Sequence, residues 1–422
     1  MVSRLDIPVP VPPSAENWGD PDTRGIVSFL LRIGRALHRY GTPAHRLEAS
    51  LEELAERLGL HGQFFATPTS LFIALGEMNE QRTYLIRVEP GEVNLGKLSA
   101  LDEIVERVAH LELDPVNAER QVRIVEAQPP HFGPVVNIIA QALSCAGAAI
   151  FFGGRWREAC LAGVVGLILG VLWAFVAGNR RALRLFETLA GMISATIAVI
   201  GSWLWGGEVS ASIVTVSGII MLVPGLTMTV AINELATRNL ASGTARLMGA
   251  LTILTSLGFG AAIGLRLQTL FPLSLMPPEL AITPLWIELP IVFISAMAFT
   301  VVFQARRRDA PWILLTSILA LYGARLGGTF LGPELGACFG AFGVGLTSNL
   351  IARLRNRPAV ITALPGLILL VPGSIGFRSF SALMDHNVIH GVEAAFTMFL
   401  VAISIVFGLF LASVALPTAK EL

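Results

Sequence analysis

From residue 134 onward the chain alternates long apolar runs with short polar ones. About ten such runs can be counted, at roughly 134–152, 159–178, 186–205, 209–232, 247–270, 281–304, 311–330, 333–351, 359–377 and 393–416. Each is near the ~20 residues that a helix needs to cross about 30 Å of hydrocarbon. Ahead of them the periodicity is that of a water-soluble fold. Asp22 and Thr23 can cap a helix whose apolar face is Ile26, Phe29, Leu30, Ile33, Leu37 and Tyr40, stopped by Gly41. Thr42-Pro43 restarts a second helix through Leu47, Leu51, Leu54 and Leu58. Gln63–Ala66, Ser70–Leu75 and Thr83–Val88 are β-prone runs punctuated by Pro68 and by residues 76–81. Helices are predicted again near Leu98–Leu111 and Pro115–Ala127.

The predicted fold class is therefore an all-α polytopic membrane protein with about ten transmembrane helices, preceded by a small α+β domain. Residues 1–21, with five prolines at 8, 10, 12, 13 and 21, predict a flexible tail without the apolar h-region of a cleaved signal peptide. Residues 22–130 are expected to form the α+β domain, 131–275 a first five-span unit and 276–422 a second.

The two units carry an internal signature. Leu222-Val223-Pro224-Gly225 returns as Leu370-Val371-Pro372-Gly373. Continuing without a gap, Asn239 falls opposite Asn387, Gly243 opposite Gly391, Phe259 opposite Phe407 and Gly260 opposite Gly408, a constant offset of 148 positions. Because each unit holds an odd number of spans, the second copy would be inverted relative to the first. A Pro-Gly pair inside a span removes a backbone donor and frees carbonyls. Hydrocarbon tolerates that only where protein or a watery cavity satisfies them. Two broken helices in matching places point to a transporter's binding site, with alternating access around it. Replacing either pair with alanine is expected to favour a continuous helix at no cost to folding.

Composition supports the membrane assignment and then splits the chain. Hydrophobic residues make up 54% and charged residues only 14%, about half the charged share of soluble domains. The zero net charge hides 13 Lys/Arg against 19 Asp/Glu in residues 1–130, and 17 against 11 in residues 131–422. Neither balance points to nucleic acid. Loops on the side of the N-terminal domain hold Arg180, Arg181, Arg184, Arg238, Arg246, Arg306, Arg307, Arg308, Arg353, Arg355 and Arg357, with Lys420 in the tail. The opposite side holds Arg155, Arg157 and Arg378. By the positive-inside rule both termini and the N-terminal domain face the cytoplasm. Cys145, Cys160 and Cys338 show no metal or disulfide spacing and are expected to be packing residues.

No motif of a hydrolase, a zinc enzyme or a P-loop NTPase occurs, and no cofactor or metal is expected. A hydrolytic group could be imagined from His38, His45 and His61 near Glu48 and Ser70, against the plainer reading of solvated surface histidines. The rows Gly332/Gly336/Gly340, Gly166/Gly170 and Gly323/Gly327 predict close helix packing. Thr227, Thr229, Asn233 and Glu234 follow the first Pro-Gly break; Ser374, Arg378 and Asp385 follow the second. A helix resuming after a break presents free N–H groups and a positive dipole end suited to a carboxylate. With Pro224, Gly225, Pro372 and Gly373, these residues other than Asp385 are the candidate substrate site. Glu234 and Asp385 either hold an ammonium group or a coupling proton, or lie solvated at a helix end. Arg266 and Arg325, embedded in apolar runs, either face a cavity or a partner, or snorkel to the outer surface.

The stretch Tyr40-Gly41-Thr42-Pro43-Ala44-His45-Arg46-Leu47-Glu48, then Thr67-Pro68-Thr69-Ser70, followed by five spans, resembles the bacterial threonine/serine exporter family. The second unit, with Leu370-Val371-Pro372-Gly373, looks like the partner module that some bacteria encode separately. The resemblance covers residues 22–416. It implies a secondary transporter of the bacterial cytoplasmic membrane that exports threonine, serine or similar small amino acids, driven by protons. Split two-chain relatives are associated with dicarboxylates, so export of a succinate-like substrate is the alternative; it would need two anion sites, for which Arg266, Arg325 and Arg378 are natural. A membrane-anchored hydrolase and a passive channel are further readings. A small amino acid, protons and the bilayer are the expected partners, and a homo-oligomer stays open.

The loop charges generate a topology test. In a background lacking native cysteines, a cysteine at position 207 should react with an impermeant reagent from outside and one at position 356 should not; the reverse would invert the orientation.

Overall fold

The computed structural model describes residues 20–77, 79–89, 91–270, 284–384 and 386–418. Most of the expected tail, the expected boundary near 275 and Asp385 lie outside them.

The N-terminal domain follows the sequence pattern closely. Helix α1 (Pro21–Arg39) ends at a turn in which Gly41 takes a φ of +105°, which a β-carbon would strain. Helix α2 (Ala44–Arg57) follows, then strands β1 (Gly62–Thr67), β2 (Ser70–Leu75) and β3 (Arg82–Arg87), then α3 (Leu95–Ala109) and α4 (Pro115–Ala127). The strands form an antiparallel sheet in the order β1-β2-β3. Its inner face sends Ala66, Leu71, Ile73 and Leu75 against Phe29, Leu30, Ile33, Leu47 and Leu51 of the first two helices. That core does not stop at the domain boundary. It continues into Ala296, Phe299, Phe303, Ile313 and Leu364, which belong to the apolar region beyond residue 131.

Among the described residues, eight helices there are long and apolar enough to cross a membrane. They are α5 (Pro134–Phe151), α6 (Trp156–Val176), α7 (Arg180–Leu204), α10 (Leu240–Arg266), α11 (Leu285–Val302), α12 (Ala310–Leu331), α13 (Pro333–Arg355) and α16 (Val388–Ala415). The other two apolar runs are not continuous helices. The run at 209–232 is split into α8 (Ala211–Gly218) and α9 (Gly225–Ala236), and the run at 359–377 into α14 (Val360–Leu367) and α15 (Gly373–Met384). Pro224 precedes the first residue of α9, where its missing N–H leaves no helical bond unmade.

The glycine rows do what their spacing implies. A β-carbon on Gly323 would lie 3.0 Å from the Gly340 Cα, and one on Gly166 2.9 Å from the Ala142 Cα, so these backbones are nearly in contact. Among the cysteines, Cys145 is buried, while Cys160 is exposed.

The helices' ends can be placed relative to the N-terminal domain. The Leu95 and Gly96 N–H groups donate to Phe303 O (2.9 Å) and Gln304 O (3.0 Å), which puts the C-terminal end of α11 beneath the domain. Arg306 and Arg308 pair with Glu103 of α3 on the same side. The Asn349 amide donates to Leu416 O at 2.8 Å, which brings the C-terminal ends of α13 and α16 together; Asn356 reaches Glu106 of α3.

Because the domain's core runs on into α11, residues 20–130 expressed alone should still melt cooperatively, but at a lower temperature than in the intact chain. A broad melt of the fragment, followed by circular dichroism, would show that the domain has no fold of its own.

Candidate functional site

The two Pro-Gly breaks touch. A β-carbon on Gly225 would stand 2.9 Å from the Gly373 nitrogen, and one on Gly373 would stand 3.1 Å from the Gly225 Cα and 2.8 Å from a Val223 methyl. Only glycine on both segments permits this backbone-to-backbone crossing. The expectation that alanine would be harmless there is therefore corrected: at Gly225 and Gly373 it would force the crossing apart.

From this point the half-helices diverge. The C-terminal end of α9 reaches the N-terminal domain, since the Ala44 N–H donates to Glu234 Oε1 at 3.1 Å. The end of α15 packs against the start of α16, through the Ser379 hydroxyl and Gly391 O at 2.6 Å. That start is separated from the domain by the 28 residues of α16. Two helix N-termini thus meet in mid-structure and point in opposite directions, each leaving first-turn N–H groups without an intrahelical acceptor.

A cavity of about 570 Å³ opens against the crossing, within the range of about 300–1,000 Å³ usual for small-molecule sites. Pro224 and Thr227 line it from α9, and Gly373 and Ser374 from α15. Its other polar walls come from Asn137, Gln141 and Ser144 of α5, Ser295 of α11 and Glu92 of the N-terminal domain. Asn137 Oδ1 and the Ser295 hydroxyl are buried without a hydrogen-bond partner. Among the described residues, no arginine lines the cavity.

The residues of α5 were missed in the sequence, although a signal was there. Asn137, Gln141 and Ser144 stand at i, i+4 and i+7 of an otherwise apolar run, which places them on one helix face.

Other candidates lie elsewhere. Thr229 is buried, its hydroxyl donating to Gly225 O at 3.1 Å within its own helix. The Asn233 carbonyl accepts from Thr237, and the residue does not line the cavity. The Arg378 guanidinium lies 5.4 Å from the centre of the Phe152 ring. Arg266 is exposed in the last turn of α10. Arg325 has a partner that the sequence reading overlooked, Glu288. Asn239 and Asn387 occupy the N-cap positions of α10 and α16. Gly243 and Gly391 sit where each of those helices presses on its preceding half-helix. The repeat-matched asparagines and glycines outside the break are thus turn and packing residues, whereas Phe259 and Phe407 are exposed.

Glu234 is neither solvated nor in the cavity. It is fully buried. The Arg246 guanidinium donates to both its oxygens, at 3.0 and 3.1 Å, the Ser242 hydroxyl donates to Oε2 at 3.0 Å, and the Ala44 N–H completes the set. Ala44 is the first residue of α2, whose own N-cap, Pro43, offers no side-chain acceptor. A carboxylate from a half-helix 190 residues away supplies the cap instead.

A family profile described as "Putative threonine/serine exporter" matches residues 28–268, and a second, "Threonine/Serine exporter, ThrE", matches residues 288–415. The chain belongs to the threonine/serine exporter family. Curated relatives include "Pheromone-regulated membrane protein 10" of Debaryomyces hansenii, 27% identical over 87% of this chain and 37% of its own length. The protein of that name in Eremothecium gossypii is 24% identical over 93% of the chain and 56% of its own. "Uncharacterized protein C7D4.12c" of Schizosaccharomyces pombe is 23% identical over 82% and 47%. This chain thus spans about a third to a half of the length of most such relatives. No solved structure matches it.

The threonine/serine exporter family is one of transporters, so the hydrolase reading falls. Its imagined residues do not form one group: His61 is exposed, His38 Nε2 lies 2.6 Å from Thr67 O, and the Ser70 hydroxyl is hydrogen-bonded to that of Thr67. Glu48 accepts from the Ala66 N–H at 2.6 Å, tying α2 to β1; burial raises its carboxyl above the usual range despite that bond. His45 faces the interface. Burial and the neighbouring Arg46 depress its imidazole to about 4, against the pull of Glu234. The motif that carries the family resemblance is thus the part of the domain that docks onto the membrane helices.

Removing one partner of a buried ion pair leaves the other charge uncompensated, at a cost of about 3–5 kcal/mol. Glu234→Ala should accordingly lower the melting temperature of the purified full-length protein far more than Asn239→Ala does. Equal, small shifts would show that Glu234 anchors nothing.

Proposed function

We propose that this protein is a secondary transporter that moves threonine, serine or a similar small amino acid out of the cytoplasm in exchange for protons. The observation that carries this reading is the cavity at the crossing of the two breaks. Two helix N-termini there offer N–H groups to a carboxylate. Asn137 Oδ1 is an acceptor suited to an ammonium group, and the hydroxyls of Ser144, Thr227, Ser295 and Ser374 suit a substrate hydroxyl. Water is kept from much of the wall by Phe151, Phe152, Trp173, Phe186 and Phe299.

A succinate-like dicarboxylate is disfavoured by the same geometry. It requires a second anion site, and Arg266, Arg325 and Arg378 all stand outside the lining. The opposite courses of α9 and α15 from their contact support alternating access, one bundle rocking on the other about Gly225 and Gly373. The loop charges support a cytoplasmic N-terminal domain, and the bacterial cytoplasmic membrane is the setting the family resemblance implies. A homo-oligomer is compatible with all of this.

Loss of one hydrogen bond to a bound substrate is worth about 1 kcal/mol, or roughly a five- to tenfold change in affinity. With purified protein in vesicles, Thr227→Val and Ser374→Ala should each raise KM for threonine by about that factor and leave the melting temperature unchanged. Transport of succinate but not threonine or serine by the parent protein would overturn the substrate assignment, and downhill flux without any response to a pH gradient would favour a channel.

A further inference from the structure

Helices α5 and α11 have the same length of 18 residues and begin 151 positions apart. In that register Asn137 matches Glu288 and Ser144 matches Ser295. The two helices pack together, so closely that a β-carbon on Gly147 would come within 2.6 Å of the Ser295 hydroxyl. They run in opposite directions. The start of α5 adjoins the N-terminal domain's side, where the Phe132 N–H donates to the Gln304 side chain at 2.9 Å, and α11 ends there.

Asn137, Ser144 and Ser295 line the cavity. Glu288 stands seven residues before Ser295 on the same face of α11, about 10 Å farther along the axis, toward the side away from the domain. Between Ser295 and Glu288 residues 289–294 are all apolar, so Glu288 is the one carboxylate of the helix that bounds the cavity, set apart from its lining. The Ser295 hydroxyl has no partner of its own.

The surroundings of Glu288 differ from those of Glu158 and Glu234, the other buried glutamates among the described residues. Its side chain is 3% exposed and pairs with Arg325 of α12, at 2.8 Å and 2.6 Å. Arg325 is itself 53% exposed, lying over the Tyr322 ring, whose hydroxyl is buried and unpartnered. Among the described residues, Arg325 and Tyr322 are the charged and titratable groups that α12 turns toward it; α5 and α14, which also pack on α11, contribute none. Glu234 is held by four donors from two chain segments, α10 and the start of α2, and Glu158 accepts from the Arg155 and Ser210 N–H groups, whereas Glu288 has one counter-charge, whose side chain is half exposed. A buried carboxylate with a detachable partner can exist in either protonation state.

We propose that Glu288 is the site that binds the coupled proton, an inference that rests on the exporter reading above. The carboxylate takes up a proton from the side opposite the N-terminal domain, which releases Arg325 to solvent. It returns the proton when the substrate site is exposed to the other side. Glu288 is thereby a coupling residue.

The test uses the full-length protein in vesicles, with labelled threonine followed in two modes: net flux under an imposed pH gradient, and exchange against unlabelled threonine at equal pH. The parent should show at least about tenfold acceleration by the gradient. Glu288→Gln should keep exchange and its KM while losing the acceleration, and Glu288→Asp should recover part of it. Arg325→Gln removes the counter-charge of Glu288 and should likewise blunt the gradient acceleration while keeping exchange, and it serves as the test if Glu288→Gln does not fold. Full gradient response in Glu288→Gln, or joint loss of flux and exchange in a folded variant, would overturn the proposal. Exchange by the parent without any gradient response would defeat the proton site and leave the transporter standing; absence of both threonine and serine exchange would defeat both.

Discussion

The arrangement depends on where one carboxylate ends up. Glu234 is withdrawn completely from water, and a buried charge is tolerated only when its lone pairs are filled. Arg246 and Ser242 fill most of them from α10, so the half-helix α9 is stapled to the helix that follows it. The remaining bond goes to the Ala44 N–H, an orphan donor at the start of α2. One side chain thus fixes the far end of a broken helix and the attachment of the N-terminal domain. Since the other end of α9 is at the cavity, the domain and the cavity are linked through 12 residues of rigid helix.

The second constraint is the contact between Gly225 and Gly373. Broken helices are costly in a membrane because the freed polar groups find no water in hydrocarbon. Here the two breaks are brought together, away from lipid and against a cavity that can hold polar ligands. The same absence of β-carbons that lets the backbones cross also brings two positive helix ends to one place. Backbone donors are thus gathered where the cavity wall has few charged side chains.

The domain side of the cavity has its own logic. Glu92 contributes to the wall, and the loop that carries it leads into the start of α3, which is bonded to the end of α11. The N-terminal domain therefore holds two separate parts of the apolar region, α9 and α10 through Glu234 and the α11–α12 corner through Glu103. Relative motion of those parts must stretch or release those contacts.

The sequence by itself determined much of this protein. Periodicity located the helices and strands of the N-terminal domain to within a few residues, because each buries one face and its end is marked by Gly41, Pro43 or Pro115. Apolar run length located the spans, and the repeated Pro-Gly pair located the breaks. Four of the expected site residues, Pro224, Thr227, Gly373 and Ser374, do line the cavity. What the sequence could not decide was which polar residues share a place. Glu234 read equally well as a ligand or as a solvated loop residue, because its partner at Ala44 lies 190 positions away and is a backbone N–H common to all residues. Glu288 and Arg325 are 37 positions apart, a spacing with no local signature, and only the packing of α11 on α12 joins them. Asn137, Gln141 and Ser144 did share a face by their spacing. That the face looks onto a cavity and not onto lipid is a property of the neighbouring helices, and only the tertiary structure fixes those.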